Sequence, residues 1–126
     1  MRWHVVLLGS FLWAQAKGGI VFFTGSWSQL LQEAQKQKRP IFVDVYAEWC
    51  GPCKMLERNT FPNPDLGAYV AKHYIAYRLD GERGEGPRIA NQYRVRAYPT
   101  MLILDPSGKE LGRQVGYVDA PNLLRI

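Results

Sequence analysis

Hydrophobic spacing divides the chain into helix-like and strand-like stretches. From Trp27 to Lys38 the apolar residues Trp27, Leu30, Leu31 and Ala34 fall at helical spacing on one face, with Gln32, Glu33, Gln35 and Lys36 around the rest. Ser26 stands at the N-cap position, and Arg39-Pro40 stops the helix. Ahead of it, Gly18-Gly19 reads as a linker into Ile20-Val21-Phe22-Phe23, a short strand. The run from Ile41 to Ala47 is almost unbroken in its hydrophobicity and rich in β-branched and aromatic residues. It predicts a central strand buried on both faces. Lys54 to Asn59 continues a helix that Phe61-Pro62-Asn63-Pro64 breaks, and Asp65 is expected to cap a short helix through Ala71. Tyr74 to Leu79 alternates like a strand. Asp80 to Gly86 is a polar, glycine-rich loop, and Pro87 opens another helix through Tyr93. Met101 to Leu104 and about Lys109 to Gly116 form a hairpin around Asp105-Pro106-Ser107-Gly108. Asp119 caps a last helix that has barely begun at Ile126.

Composition narrows the class. A chain of 126 residues with 47% hydrophobic and 13% aromatic content suits one folded domain and leaves no room for a second ordinary core. The net charge of +5 is spread along the chain without a block of like charge. That excludes a basic tail and predicts a solvated surface with no nucleic-acid partner. At the N-terminus, Arg2 precedes the apolar run Val5 to Trp13, and Ala14-Gln15-Ala16 matches a small-x-small cleavage pattern. The run is too short to span a bilayer comfortably. The alternatives are a buried first strand or an uncleaved anchor. The expectation is a signal peptide over residues 1–16, cleaved after Ala16, and a domain over 17–126 in an exported, periplasmic or otherwise extracytoplasmic compartment.

The chemistry gathers at Trp49-Cys50-Gly51-Pro52-Cys53-Lys54, between a strand-like run and a helix-like run, and holds the only two cysteines. Two thiols separated by two residues at a helix start can close a small disulfide ring and reopen it. There the first thiol meets unpaired N–H groups and the positive end of the helix dipole, so its pKa should fall and supply the thiolate that attacks a disulfide. Pro52 falls in the first turn, where its missing N–H costs nothing. A purely structural bridge would close so short a loop that it stabilises weakly. Zinc wants about four ligands, and His4 and His73 alone remain; covalent haem would want histidine where Lys54 stands.

Three further positions are marked by their surroundings. Asp44 interrupts the buried strand, where a carboxylate is costly unless paired or protonated and its pKa should rise. It is either a hydrogen-bonded residue at a strand end or a proton acceptor beneath the cysteines. Glu57 lies four residues after Cys53, one turn along the same face. It is either close to Cys53 and Asp44 or a solvated residue paired to Arg58 or Lys54. Pro99, just ahead of a strand in Tyr98-Pro99-Thr100, is a candidate cis-proline.

The run Phe42 to Lys54 resembles the active-site segment of the thioredoxin superfamily. Tyr98-Pro99-Thr100 is similar to its cis-proline loop, and Gly116 to the glycine after its last strand. Glu57, Asn59-Thr60-Phe61 and the Asp105-Pro106-Ser107-Gly108 turn look more like exported thioredoxin-like proteins and the C-terminal domain of the transmembrane thiol:disulfide interchange reductases. Tyr46 departs from the common tryptophan, and the final helix is short. The resemblance implies an α/β thioredoxin fold, a central mixed β-sheet flanked by helices on both faces. It implies a protein-disulfide reductase in which Cys50 attacks and Cys53 resolves, with help from Asp44 and perhaps from Glu57. Trp49, Gly51, Pro52, Tyr98 and Pro99 would line the substrate groove. The redox-active disulfide would stand in place of any cofactor or metal. Partners would be disulfide-containing proteins and a membrane or soluble thiol electron donor, acting on a monomer. A disulfide oxidase or isomerase, or a non-catalytic binding module, are the alternatives.

Overall fold

The computed structural model describes residues 18–126, so the expected targeting segment lies outside the described residues. The first helix, α1 (Trp27–Gln37), begins in a reciprocal cap. Ser26 Oγ accepts from the Gln29 N–H at 3.1 Å, and Gln29 Oε1 accepts from the Ser26 N–H at 2.8 Å. It ends at Lys38, whose φ of 55° turns the chain left-handed ahead of Pro40. Strand β1 (Ile41–Tyr46) follows, with Ile41 through Val45 all buried.

β1 runs parallel to β2 (Ile75–Asp80) and antiparallel to β3 (Thr100–Leu104). β3 pairs antiparallel with β4 (Glu110–Val115), giving a mixed sheet of order β2-β1-β3-β4. On one face α1 and α4 (Gly86–Gln92) bring Trp27, Leu30 and Ile89 onto Val43, Val45, Leu102 and Leu104. On the other lie α2 (Gly51–Met55, continued by a π-helical turn, Leu56–Thr60), α3 (Pro64–His73) and α5 (Ala120–Arg125). Their Leu56, Leu66, Val70 and Ala120 meet Phe42 and Met101. Alternation along β1 therefore sends Val43 and Val45 to one core and Phe42 to the other, as a strand covered on both faces requires.

Two local expectations are corrected. Ile20 to Phe23 does not form a strand. It meets the edge of β2 at one isolated parallel bridge, between Phe22 and Ala76, where the Phe23 N–H donates to the Ala76 carbonyl at 2.7 Å. The Ile20 N–H is bonded to the Phe61 carbonyl at 2.9 Å, and Val21 is exposed, so the segment is anchored at the end of α2 and reaches β2 only at Phe22 and Phe23. The cap of α3 is Asn63, whose Oδ1 accepts from the Leu66 N–H at 2.9 Å. Pro64 occupies the first turn, where its lack of an N–H is harmless, and Asp65 sits inside the helix near its positive end.

Candidate active site

The end of β1 delivers the cysteines. Cys50 is the N-cap of α2, with extended backbone (φ −80°, ψ 116°), and Pro52 occupies the first turn. The two sulfurs are joined as a disulfide, with Cα atoms 5.3 Å apart. Cys50 Sγ accepts from the Cys53 N–H at 3.1 Å, so a backbone donor already points at the atom that carries negative charge once the bridge opens. Both cysteines are almost wholly buried, at 2% and 1% exposure, beneath Tyr46 and Tyr98. Gly51 and Pro52 lie at the surface beside them.

Trp49 stands out from this site at 69% exposure. Its indole is edge-on to Tyr98, with ring centroids 6.1 Å apart and planes at 78°. The Tyr98–Pro99 peptide is cis, and the Pro99 carbonyl accepts from the Gly116 N–H at 2.9 Å, tying this loop to the end of β4. Trp49, Tyr98 and the cysteines are thus brought together.

Asp44 is wholly buried and lies mid-strand, directly opposite Arg78 in the parallel register of β1 and β2. Its Oδ2 accepts from Arg78 Nε at 3.1 Å, whereas Oδ1 has no hydrogen-bond partner among the described residues. Burial pushes its pKa up to about 6; the Arg78 charge and hydrogen bond pull the other way, and Glu57 adds a small push upward. An unpartnered, buried carboxylate oxygen that titrates near neutrality can take up a proton within the pH range of thiol exchange.

Glu57 pairs with neither Arg58 nor Lys54. Its Oε2 accepts from Arg78 Nη2 at 2.9 Å, so it meets Asp44 only through the shared guanidinium, which also lies over the Tyr46 ring at 3.9 Å. Arg78 is the residue that sequence reasoning missed. Its position in an alternating strand reads as an outward polar residue, and the parallel register that sets it beside Asp44 is a long-range property. Glu82, which accepts from the Trp49 indole N–H at 2.8 Å, was also missed, inside a stretch that reads as an ordinary polar loop.

Comparisons with known proteins agree with this geometry. A family model described as a thioredoxin-like domain matches residues 27–126. A thioredoxin of Chlamydia trachomatis is 41% identical over 88 residues, covering 68% of this chain and 78% of that protein. The thiol:disulfide interchange protein DsbD of Yersinia pestis is 30% identical over 95 residues, which is 73% of this chain and only 16% of that protein. Among solved structures, a candidate disulphide-isomerase from Bacteroides thetaiotaomicron superposes with a TM-score of 0.77 at 38% identity, covering 86% of this chain and 89% of that one. The DsbD C-terminal domain of Neisseria meningitidis, in its oxidised form, gives 0.68 at 17% identity over 83% of this chain and 95% of that one, a likeness of fold alone. The chain belongs to the thioredoxin-like family, as a thiol:disulfide oxidoreductase whose CxxC pair is Cys50 and Cys53.

Proposed function

We propose that the protein works as a reductase of protein disulfides in an exported compartment. The observation that carries the exchange chemistry is the Cys50–Cys53 bridge capping α2 with the unpartnered Asp44 oxygen buried in the adjoining strand. In the reduced protein Cys50 attacks one sulfur of a substrate disulfide as thiolate. A mixed disulfide forms, and the first substrate sulfur leaves and takes a proton. Cys53 gives its proton to Asp44 and attacks Cys50 Sγ, releasing the second substrate thiol. The substrate gains two electrons and the protein ends as the bridge described above. A thiol donor, soluble or in a membrane, must then restore the dithiol. Pro99 shapes the groove beside Cys50, and the backbone at Tyr98 is placed to pair with an extended substrate segment, with Trp49, Gly51 and Pro52 alongside.

The Gly51-Pro52 dipeptide favours the reducing direction, since it resembles that of thioredoxins, whose potential is about −270 mV against about −120 mV for a strong oxidant. The likeness to a candidate disulphide-isomerase supports the second reading, an isomerase or oxidase using the same steps. Equilibrating the protein with glutathione and dithiothreitol buffers decides between them. A potential near the thioredoxin value is expected, and one near the strong oxidants reverses the assigned direction. Export follows from the N-terminal pattern; the mature N-terminus of protein recovered from an extracytoplasmic fraction should be Lys17. The protein acts as a monomer, and nucleic acid has no part in this chemistry.

A further inference from the structure

The loop between β2 and α4 is built to hold Trp49. Its first residue is fixed by the Gly81 N–H donating to the Tyr46 carbonyl at 2.8 Å, and Asp80 Oδ1 accepts from the Glu82 N–H at 2.9 Å. That turn presents the Glu82 carboxylate to the indole N–H at 2.8 Å. Next to it, Arg83 pairs with Glu48 at 3.0 Å, so two consecutive loop residues grip the two residues before Cys50. Gly81 is needed for a second reason. A Cβ there would stand 2.6 to 2.7 Å from the Tyr98 ring and hydroxyl, so the absence of a side chain lets Tyr98 approach the loop closely. The contacts close a circuit: loop, Tyr98, Trp49, Glu82, loop.

Packing alone does not hold an indole that is 69% exposed. Such a side chain retains rotamer freedom that binding must remove, and a hydrogen bond made in advance lowers that cost. From the circuit of Glu82, Trp49, Tyr98 and Gly81 we infer that Glu82 is a positioning residue for substrate recognition. It fixes Trp49 edge-on to Tyr98 as a rigid aromatic corner above the buried cysteines, and this corner selects disulfides flanked by an apolar side chain that can lie on the free indole face. The inference rests on the protein-disulfide reading proposed above.

Two extended peptides test it, each dimerised through one disulfide and differing only in Leu or Ser beside the cysteine. The wild-type protein should show a KM for the Leu peptide about five- to tenfold below that for the Ser peptide, the scale of one apolar contact. Glu82→Ala should raise the KM for the Leu peptide about three- to tenfold with kcat within about twofold, and should shift the Trp49 indole N–H resonance. Glu82→Gln, whose amide oxygen can still accept from the indole, should restore both. Gly81→Ala should reproduce the loss by pushing Tyr98 away while Glu82 remains. Equal KM values for the two peptides in the wild type overturn the inference and leave the redox reading standing. So does a Glu82→Ala protein whose indole resonance moves while its preference for Leu persists. Failure of the wild type to exchange with either peptide overturns the redox reading and this inference together.

Discussion

Arg78 and Asp44 face each other across the parallel β2–β1 pair, with the guanidinium Nε 3.1 Å from the buried Oδ2. The same guanidinium reaches Glu57 and lies over Tyr46, so one exposed-edge strand residue organises the charge around a carboxylate that has no access to water. Breaking a buried pair by removing one partner leaves the other uncompensated. Arg78→Leu should therefore destabilise the fold by about 2 kcal/mol at pH 8, and by much less near pH 5, where Asp44 carries its proton. It should also move the acid limb of the pH–rate profile upward, because the lost cation was holding the Asp44 pKa down. Denaturant titrations at the two pH values check the first expectation; equal losses at both would show that Arg78 acts by packing.

Asp44 itself gives a pH dependence of opposite sign to the usual carboxylate. Its folded pKa of about 6 lies above the ordinary aspartate value of 3.8, so the folded chain binds the proton more tightly than the unfolded one. Its contribution favours the fold below about pH 4 and is lost as pH rises through about 6. Asp44→Asn should consequently be more stable than the parent at pH 8, by up to about 2 to 3 kcal/mol, with the gap closing toward pH 4. The same variant should slow release of the mixed disulfide above pH 6, since it removes the proton acceptor proposed for Cys53. Stability curves from pH 4 to 8 and single-turnover kinetics measure the two effects.

Cys53→Ser leaves the attacking sulfur without its resolving partner. Incubation with a disulfide-bonded protein should accumulate a covalent adduct on Cys50 that mass spectrometry finds and dithiothreitol removes. A non-catalytic module that merely docks partners would give no such adduct.

Gly67 lies within α3, where alanine would ordinarily gain about 1 kcal/mol of helix propensity. Here a Cβ would stand 2.4 Å from the Gly19 carbonyl group, backbone that cannot rotate away. Steric crowding should win, and Gly67→Ala should lose about 1 to 3 kcal/mol. Thermal unfolding reads the sign directly.

Much of this was legible in the sequence because periodicity reports burial. The stripe of Trp27, Leu30 and Ala34 gave α1, the unbroken run of β1 gave a strand covered on both faces, and Asp44 was conspicuous as a charge inside that run. Part of what failed depended on partners far away along the chain, and part on local choices that residue types leave open. Phe22 had the residue types of a strand, but only the fixed position of Gly19 and Ile20 decides how much of it reaches β2. Asn63 and Asp65 are both good caps, and Pro64 between them chose the first. The π-helical turn at Leu56–Thr60 carries no breaker residue to announce it. Arg78 could be assigned to Asp44 only once β1 and β2 were known to be parallel and in register.

That register has a consequence for assembly of the sheet. One residue out of step, every β2 side chain would turn to the opposite face, taking Tyr77 and Leu79 out of the core they share with Val43 and Val45 and putting Arg78 in their place. A slip of one position would carry Asp44 away from Arg78 and set it opposite Tyr77 or Leu79, stranding a carboxylate in hydrocarbon with no cation. The alignment of the strand pair thus rests on one pair of opposite charges as well as on its apolar alternation, and the carboxylate proposed to take a proton from sulfur also keeps the edge strand in step with the strand that delivers the cysteines.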